Sequence, residues 1–249
     1  MMIRPLLATA AIAMAVLTPA CAEGAKDPVN MERAELEEII HDYIVTHPEV
    51  IEEAIVALNA RDRAEAAKAA KEAISQNEDK LYSLDTDHFI GPANAAVTLV
   101  EFFDYRCGYC KRSMPFVQAL PEEFDNKVRV VFKEYPIFGG ISETAALAAL
   151  AAGKQDKYYD MHVALMQLKS NDELTDAKLD EIGEEIGLDV DKMRADMKSG
   201  ALKKQLDEMQ RLGHALNLDG TPGFYIGDAA ISGADEQGVK DAIKAALKG

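Results

Sequence analysis

The sequence predicts an α/β domain whose strands are interrupted by a block of helices, with a helical segment ahead of it. Three observations predict this. Residues 97–103 and 128–133 are apolar, β-favouring runs of strand length. Between about 142 and 216, five stretches in succession (142–152, 156–168, 175–186, 189–198 and 201–216) carry apolar residues at helical spacing. Residues 224–226 and 229–232 then read as a hairpin across Gly227-Asp228, and 235–247 as a closing helix.

The chain opens with a segment that reads as a secretory signal. Arg4 is its one charge, an apolar run extends from Leu6 to Leu17, and Ala20-Cys21-Ala22 supplies the small-residue cleavage site. The run is too short for the roughly 20 apolar residues a membrane-spanning helix needs, so residues 1–22 are expected to be removed and the mature chain to be periplasmic. Retention as an anchor, and lipidation of Cys21, are the weaker alternatives. The net charge of −16 becomes more negative once Arg4 is gone, which makes nucleic acid and anionic membranes poor partners.

Next comes the helical segment. Leu36, Ile39, Ile40, Tyr43 and Ile44 mark one short helix over 31–46, and Pro48 starts a second with Val50, Ile51, Ala54, Ile55 and Leu58 on one face. Two such helices lack a core of their own, so residues 23–60 are expected to join copies of the chain into a dimer or trimer. The alternative is that they fold back on the following domain. The alanine-rich, charge-laced stretch that follows, with only Ala64, Ala67, Ala70 and Ile74 as a thin stripe, reads as an exposed helical stalk or linker over 61–85. The α/β domain is expected over 86–249.

Cysteine usage bounds the chemistry. An exported chain meets an oxidising compartment, yet beyond the signal it keeps only Cys107 and Cys110. A structural zinc site would need two more ligands, and His41, His47, His88, His162 and His214 form no paired motif. No resident metal or cofactor is expected, although Cu(I) capture by two thiolates stays open. The pair falls in the turn between a strand and a helix. Backbone N–H groups and the positive end of the helix dipole there stabilise a thiolate on Cys107, expected to be the exposed thiol at the helix entrance, with Cys110 one turn inside as the resolving thiol. His162 reads as a helix-packing residue.

Further residues make the pattern specific. Cys107-Gly108-Tyr109-Cys110-Lys111 is followed by Pro115, and Gly220-Thr221-Pro222-Gly223 stands directly before the last hairpin. With the run Glu101 to Cys107, residues from about 86 to 247 resemble the DsbA-type branch of the thioredoxin superfamily, a thioredoxin-like fold with a helical insertion. The CGYC motif, Thr221 and the extra N-terminal helices are most similar to ScsC-type proteins. The resemblance implies a cis Thr221–Pro222 bond facing the cysteines, where an isolated proline would be read as an ordinary turn. It also implies that Glu101 is a buried proton relay for Cys110, the alternative being a half-exposed strand-end carboxylate. Gly108, Tyr109, Thr221 and Pro222 would then line a groove for an extended client. Tyr109 replaces the histidine of DsbA itself, which implies a less oxidising couple.

The function implied is a thiol-disulfide oxidoreductase, an isomerase or reductase of unfolded or misoxidised exported proteins, recycled by a membrane thiol-redox partner. Dithiol oxidation, and copper binding or client holding without turnover, are the competing readings.

Overall fold

The computed structural model describes residues 32–82 and 86–248. The expected signal segment and Cys21 lie outside the described residues. The chain divides into two compact units, through Ala57 and from Leu58 onward.

The first unit holds helix α1, Arg33–Thr46, and the beginning of α2, Glu49–Leu81. None of its described residues is buried. Leu36, Ile39, Ile40, Tyr43, Ile51 and Ile55 are all exposed, so the apolar stripe read from the sequence finds no cover among the described residues of this unit.

The second unit is a five-stranded sheet with helices on both faces. Strands β1 (His88–Ile90), β2 (Val97–Phe103), β3 (Val128–Glu134), β4 (Gly223–Ile226) and β5 (Ala229–Ser232) lie in the order β1-β3-β2-β4-β5. Only β2 and β3 run parallel, and helix α3, Gly108–Glu123, crosses between them. Such a parallel pair requires a crossover, which is why the cysteines fall where β2 turns into α3. Strand β1, only three residues long, carries too little pattern to read from sequence.

Alternation along the strands sorts the core into two layers. Leu99 and Phe103 of β2 join Val130, Phe132, Phe224 and Ile226 beneath α3 and the inserted helices. Val100 and Phe102 face the other way, with Val131, Tyr135 and Tyr225.

The insertion comprises α4 (Ile141–Gly153), α5 (Tyr158–Met166), α6 (Asp176–Glu185), α7 (Val190–Met197) and α8 (Gly200–Ala215), and α9 (Glu236–Ala246) closes the chain. Their starts are local chemistry. Thr175, Asp189, Ser199 and Asp235 each accept a hydrogen bond from a backbone N–H of the first turn. Pro115, inside α3, removes a backbone donor there.

The stalk expectation needs correcting. Residues 49–81 form one continuous helix, of which the stretch 51–69 lies exposed throughout. Ala73, Ile74 and Leu81 are buried in the second core layer with Val100, Phe102 and Tyr225. Lys71 pairs with Asp228 at 2.7 Å, and the Tyr82 hydroxyl donates to the Gly227 carbonyl at 2.8 Å. Of the stripe read from the sequence only Ile74 is buried, and packing against the sheet is a property that sequence spacing could not report.

Candidate active site

Cys107 caps the N-terminus of α3 in an extended conformation, and its own N–H donates to the Asp104 carbonyl at 3.0 Å. Cys110 lies inside the first turn and is wholly buried. The expectation of an exposed Cys107 is corrected, since only 6% of it is accessible. The loop before β4 covers it: Thr221–Pro222 is a cis peptide bond, and the Cys107 thiol donates to the Thr221 carbonyl at 3.1 Å. A Cβ at Gly223 would meet the Leu218 side chain, so any larger residue there would make Leu218 shift.

The two thiols are driven apart. A hydrogen bond from Cys110 is the largest influence on Cys107, aided by the Thr221 side chain and by the backbone N–H groups of Cys110 and Tyr109. Against the opposing cost of burial, these pull the Cys107 pKa down to about 5. Burial, then the hydrogen bond to Cys107, then the charge of Glu101 push Cys110 far up. Cys107 is therefore a thiolate at neutral pH while Cys110 keeps its proton. Thr221 Oγ1 is buried without a hydrogen-bond partner among the described residues while Cys107 is a thiol, and a thiolate offers it an acceptor.

Glu101 points to the same side of β2 as Leu99 and Phe103 and is 2% exposed, so the half-exposed alternative does not apply. Burial, then the charge on Cys107, push its carboxyl up to about 8. Such a group can exchange a proton near neutral pH.

The remaining expected residues lie at the rim. Tyr109 is 58% exposed, with the Arg112 guanidinium stacked over its ring at 4.3 Å. Beside Gly108 the space is open. No described group of three or more His, Cys, Asp or Glu side chains could hold a metal ion.

Residues outside the expected set of catalytic and client-binding side chains fix this geometry. Asp104 accepts from the Arg106 N–H at 2.7 Å, the Ser142 hydroxyl at 2.8 Å and the Phe138 N–H at 3.1 Å. Asn171 Nδ2 donates to the Arg106 carbonyl at 3.0 Å, and Lys111 Nζ to that of Leu168 at 2.9 Å.

Behind the loop sits a second polar cluster. Glu134 Oε1 accepts from the hydroxyls of Tyr105 at 2.8 Å and Tyr158 at 2.9 Å, and His162 Nδ1 lies 3.3 Å from the Tyr105 oxygen. Burial pushes Glu134 well above the carboxylate range and His162 down to about 3, which fits His162 as a neutral packing residue. An acid at the end of a strand gives no sequence signal of such a partnership.

A dithiol at the start of the helix after β2, facing the cis-proline loop that leads into the antiparallel β4, defines a thioredoxin-fold dithiol protein. The comparisons carry this further. Residues 83–245 match the thioredoxin family model, and residues 32–65 match the copper resistance protein ScsC N-terminal domain. The chain belongs to the thioredoxin family, in its DsbA-like and ScsC-type part.

A thioredoxin-like oxidoreductase from Silicibacter pomeroyi is 36% identical with a TM-score of 0.65, over 70% of this chain and 99% of that one. Proteus mirabilis ScsC in a transitional conformation is 29% identical with a TM-score of 0.64, over 88% of this chain and 99% of that one. The probable disulfide bond formation protein D of Bacillus cereus is 28% identical over 70% of this chain and 87% of its own length. The chain also matches Salinispora Na(+)/H(+) antiporters NhaA and spans 22% of their length.

Proposed function

We propose that this chain is a periplasmic thiol-disulfide oxidoreductase that rearranges or reduces disulfides of exported proteins. The observation that carries the reading is the opposition of the two thiols, one pulled down to about 5 and the other pushed up by burial. Likeness to oxidoreductases, to ScsC and to disulfide bond formation protein D supports it. A Salmonella neighbour described as a periplasmic thioredoxin-like protein supports the location, and no described helix is long and apolar enough to cross a membrane.

The Cys107 thiolate attacks a client disulfide, the client S–S bond breaks, and one client sulfur leaves as a thiolate. A free client thiol then attacks the mixed disulfide and returns Cys107 with a new client pairing. Alternatively, Cys110 passes its proton to Glu101, attacks the Cys107 sulfur and releases the client as a dithiol. The uncovered stripe of α1 and early α2 supports assembly into a homo-oligomer, which holds several dithiols near one client at high effective concentration. A membrane thiol-redox partner would re-reduce the pair.

One observation favours a second reading, dithiol oxidation. A thiolate this stable stabilises the reduced pair and makes the disulfide a better oxidant, against the less oxidising couple read from Tyr109. Thiol trapping of the pair in cells, alongside scrambled-ribonuclease and insulin assays, separates the readings. A mostly reduced pair with isomerase activity supports the first, and a mostly oxidised pair without it supports the second. Activity that survives Cys107→Ser defeats both.

A further inference from the structure

The rim of the site is cationic in a strongly acidic chain. The sequence has 43 acidic and 27 basic residues, and many of its cations are paired, as Lys154 is with Asp196 and Arg194 with Asp176 and Asp180. Arg106 and Arg112, on either side of the dithiol, form no ion pair among the described residues. The nearest acid in sequence, Asp104, accepts instead from the Arg106 N–H, the Ser142 hydroxyl and the Phe138 N–H. Lys111, the third cation of the run, is held by the Leu168 carbonyl and feels the charge of Glu173.

Each arginine instead stacks on an exposed ring. The Arg112 guanidinium lies 4.3 Å from the Tyr109 ring centre and that of Arg106 5.7 Å from the Phe138 ring centre. Both rings are more than half exposed, and Ile137 beside Phe138 is exposed as well. Stacking occupies the face of a guanidinium and leaves its edge, with its fork of N–H donors, free for a carboxylate. The backbone of Arg106 is fixed by Asn171, so its side chain is presented from a rigid base.

We infer that this rim selects clients whose reactive cysteine is flanked by Asp or Glu together with an apolar side chain. The carboxylates lie on the edges of Arg106 and Arg112, and the apolar groups extend over Tyr109, Ile137 and Phe138. This rests on the oxidoreductase reading and names the substrate class of the same site.

The test uses the full-length reduced protein and three cystine peptides of equal length that differ only in their flanking residues, Glu, Gln or Lys. The measurement is the second-order rate constant for single-turnover reduction of each peptide, in which the peptide disulfide becomes a dithiol as the Cys107/Cys110 pair becomes a disulfide, at low salt and in 0.5 M salt. The Glu peptide should exceed the Lys peptide about tenfold at low salt, and high salt should close most of that gap. R106Q/R112Q should lose most of the preference, and R106K/R112K should keep part of it because the charge remains. If all three peptides react equally in an active protein, the inference is overturned while the oxidoreductase reading stands. If none reacts, that reading itself fails. A preference that persists in folded R106Q/R112Q also overturns the assignment. The wild-type salt series decides the matter even where the double variant does not fold.

Discussion

Glu101 on β2 and Glu134 on β3 are both buried carboxyls near the cysteine end of the parallel pair, yet their surroundings differ in kind. Glu134 is met by two phenol hydroxyls and backed by a neutral imidazole, a set of polar groups that satisfy one another. Glu101 sits beside two thiols whose charges change during a reaction, and its pKa of about 8 leaves it able to respond. Burial raises both acids. What separates an anchoring acid from a reacting one is whether its neighbours are fixed partners or groups that gain and lose protons.

Substitution can break or sharpen that contrast, and the largest expected effect lies at the sulfur itself. Cys107→Ser should abolish disulfide exchange in an insulin-reduction assay, and Cys110→Ser should accumulate mixed disulfides visible on non-reducing gels.

Next is Glu101→Gln, which should slow release of the mixed disulfide by about 10² in single-turnover kinetics, the usual worth of a positioned proton acceptor. It should also stabilise the fold at high pH. Glu101 binds its proton more tightly folded than unfolded, so native stability falls as pH rises from the ordinary carboxylate value toward about 8. The loss is about 1.4 kcal/mol per pH unit in that window, and Glu101→Gln removes it. Denaturant midpoints at pH 5 and pH 8 measure the difference. A variant no more stable at pH 8 than the wild type would show that Glu101 is not a raised, buried acid.

Glu134→Ala should do the reverse, costing about 2 to 4 kcal/mol in denaturation by stranding two buried phenols. The rate per folded molecule should change little. A large loss of reactivity in folded Glu134→Ala would erase the distinction between the two acids.

The smallest effect belongs to Thr221→Val. It removes the unpaired hydroxyl beside the sulfur and should raise the Cys107 pKa by less than about one unit, read from thiolate absorbance against pH.

Truncation of the N-terminal helices should respect the packing of α2. Removing residues 23–65 should leave a folded catalytic unit, whereas removal through residue 80 strips Ala73 and Ile74 from the second core layer.

Much of this was legible in the residues. The strand runs, the inserted helices and the closing hairpin follow from periodicities that burial imposes on any amphipathic element, and their capping residues stand at the starts of α6 to α9. Cys107, Cys110 and Pro222 were legible because a thiol pair three apart and a proline before a hairpin are uncommon and chemically pointed. The sequence by itself determined which groups could react and roughly where the chain would turn. Tertiary structure alone decided that the end of α2 belongs to the core, that Thr221 shields Cys107, and that Tyr105, Glu134, Tyr158 and His162 meet. Those outcomes depend on groups far apart along the chain being desolvated together, and no local spacing carries that information.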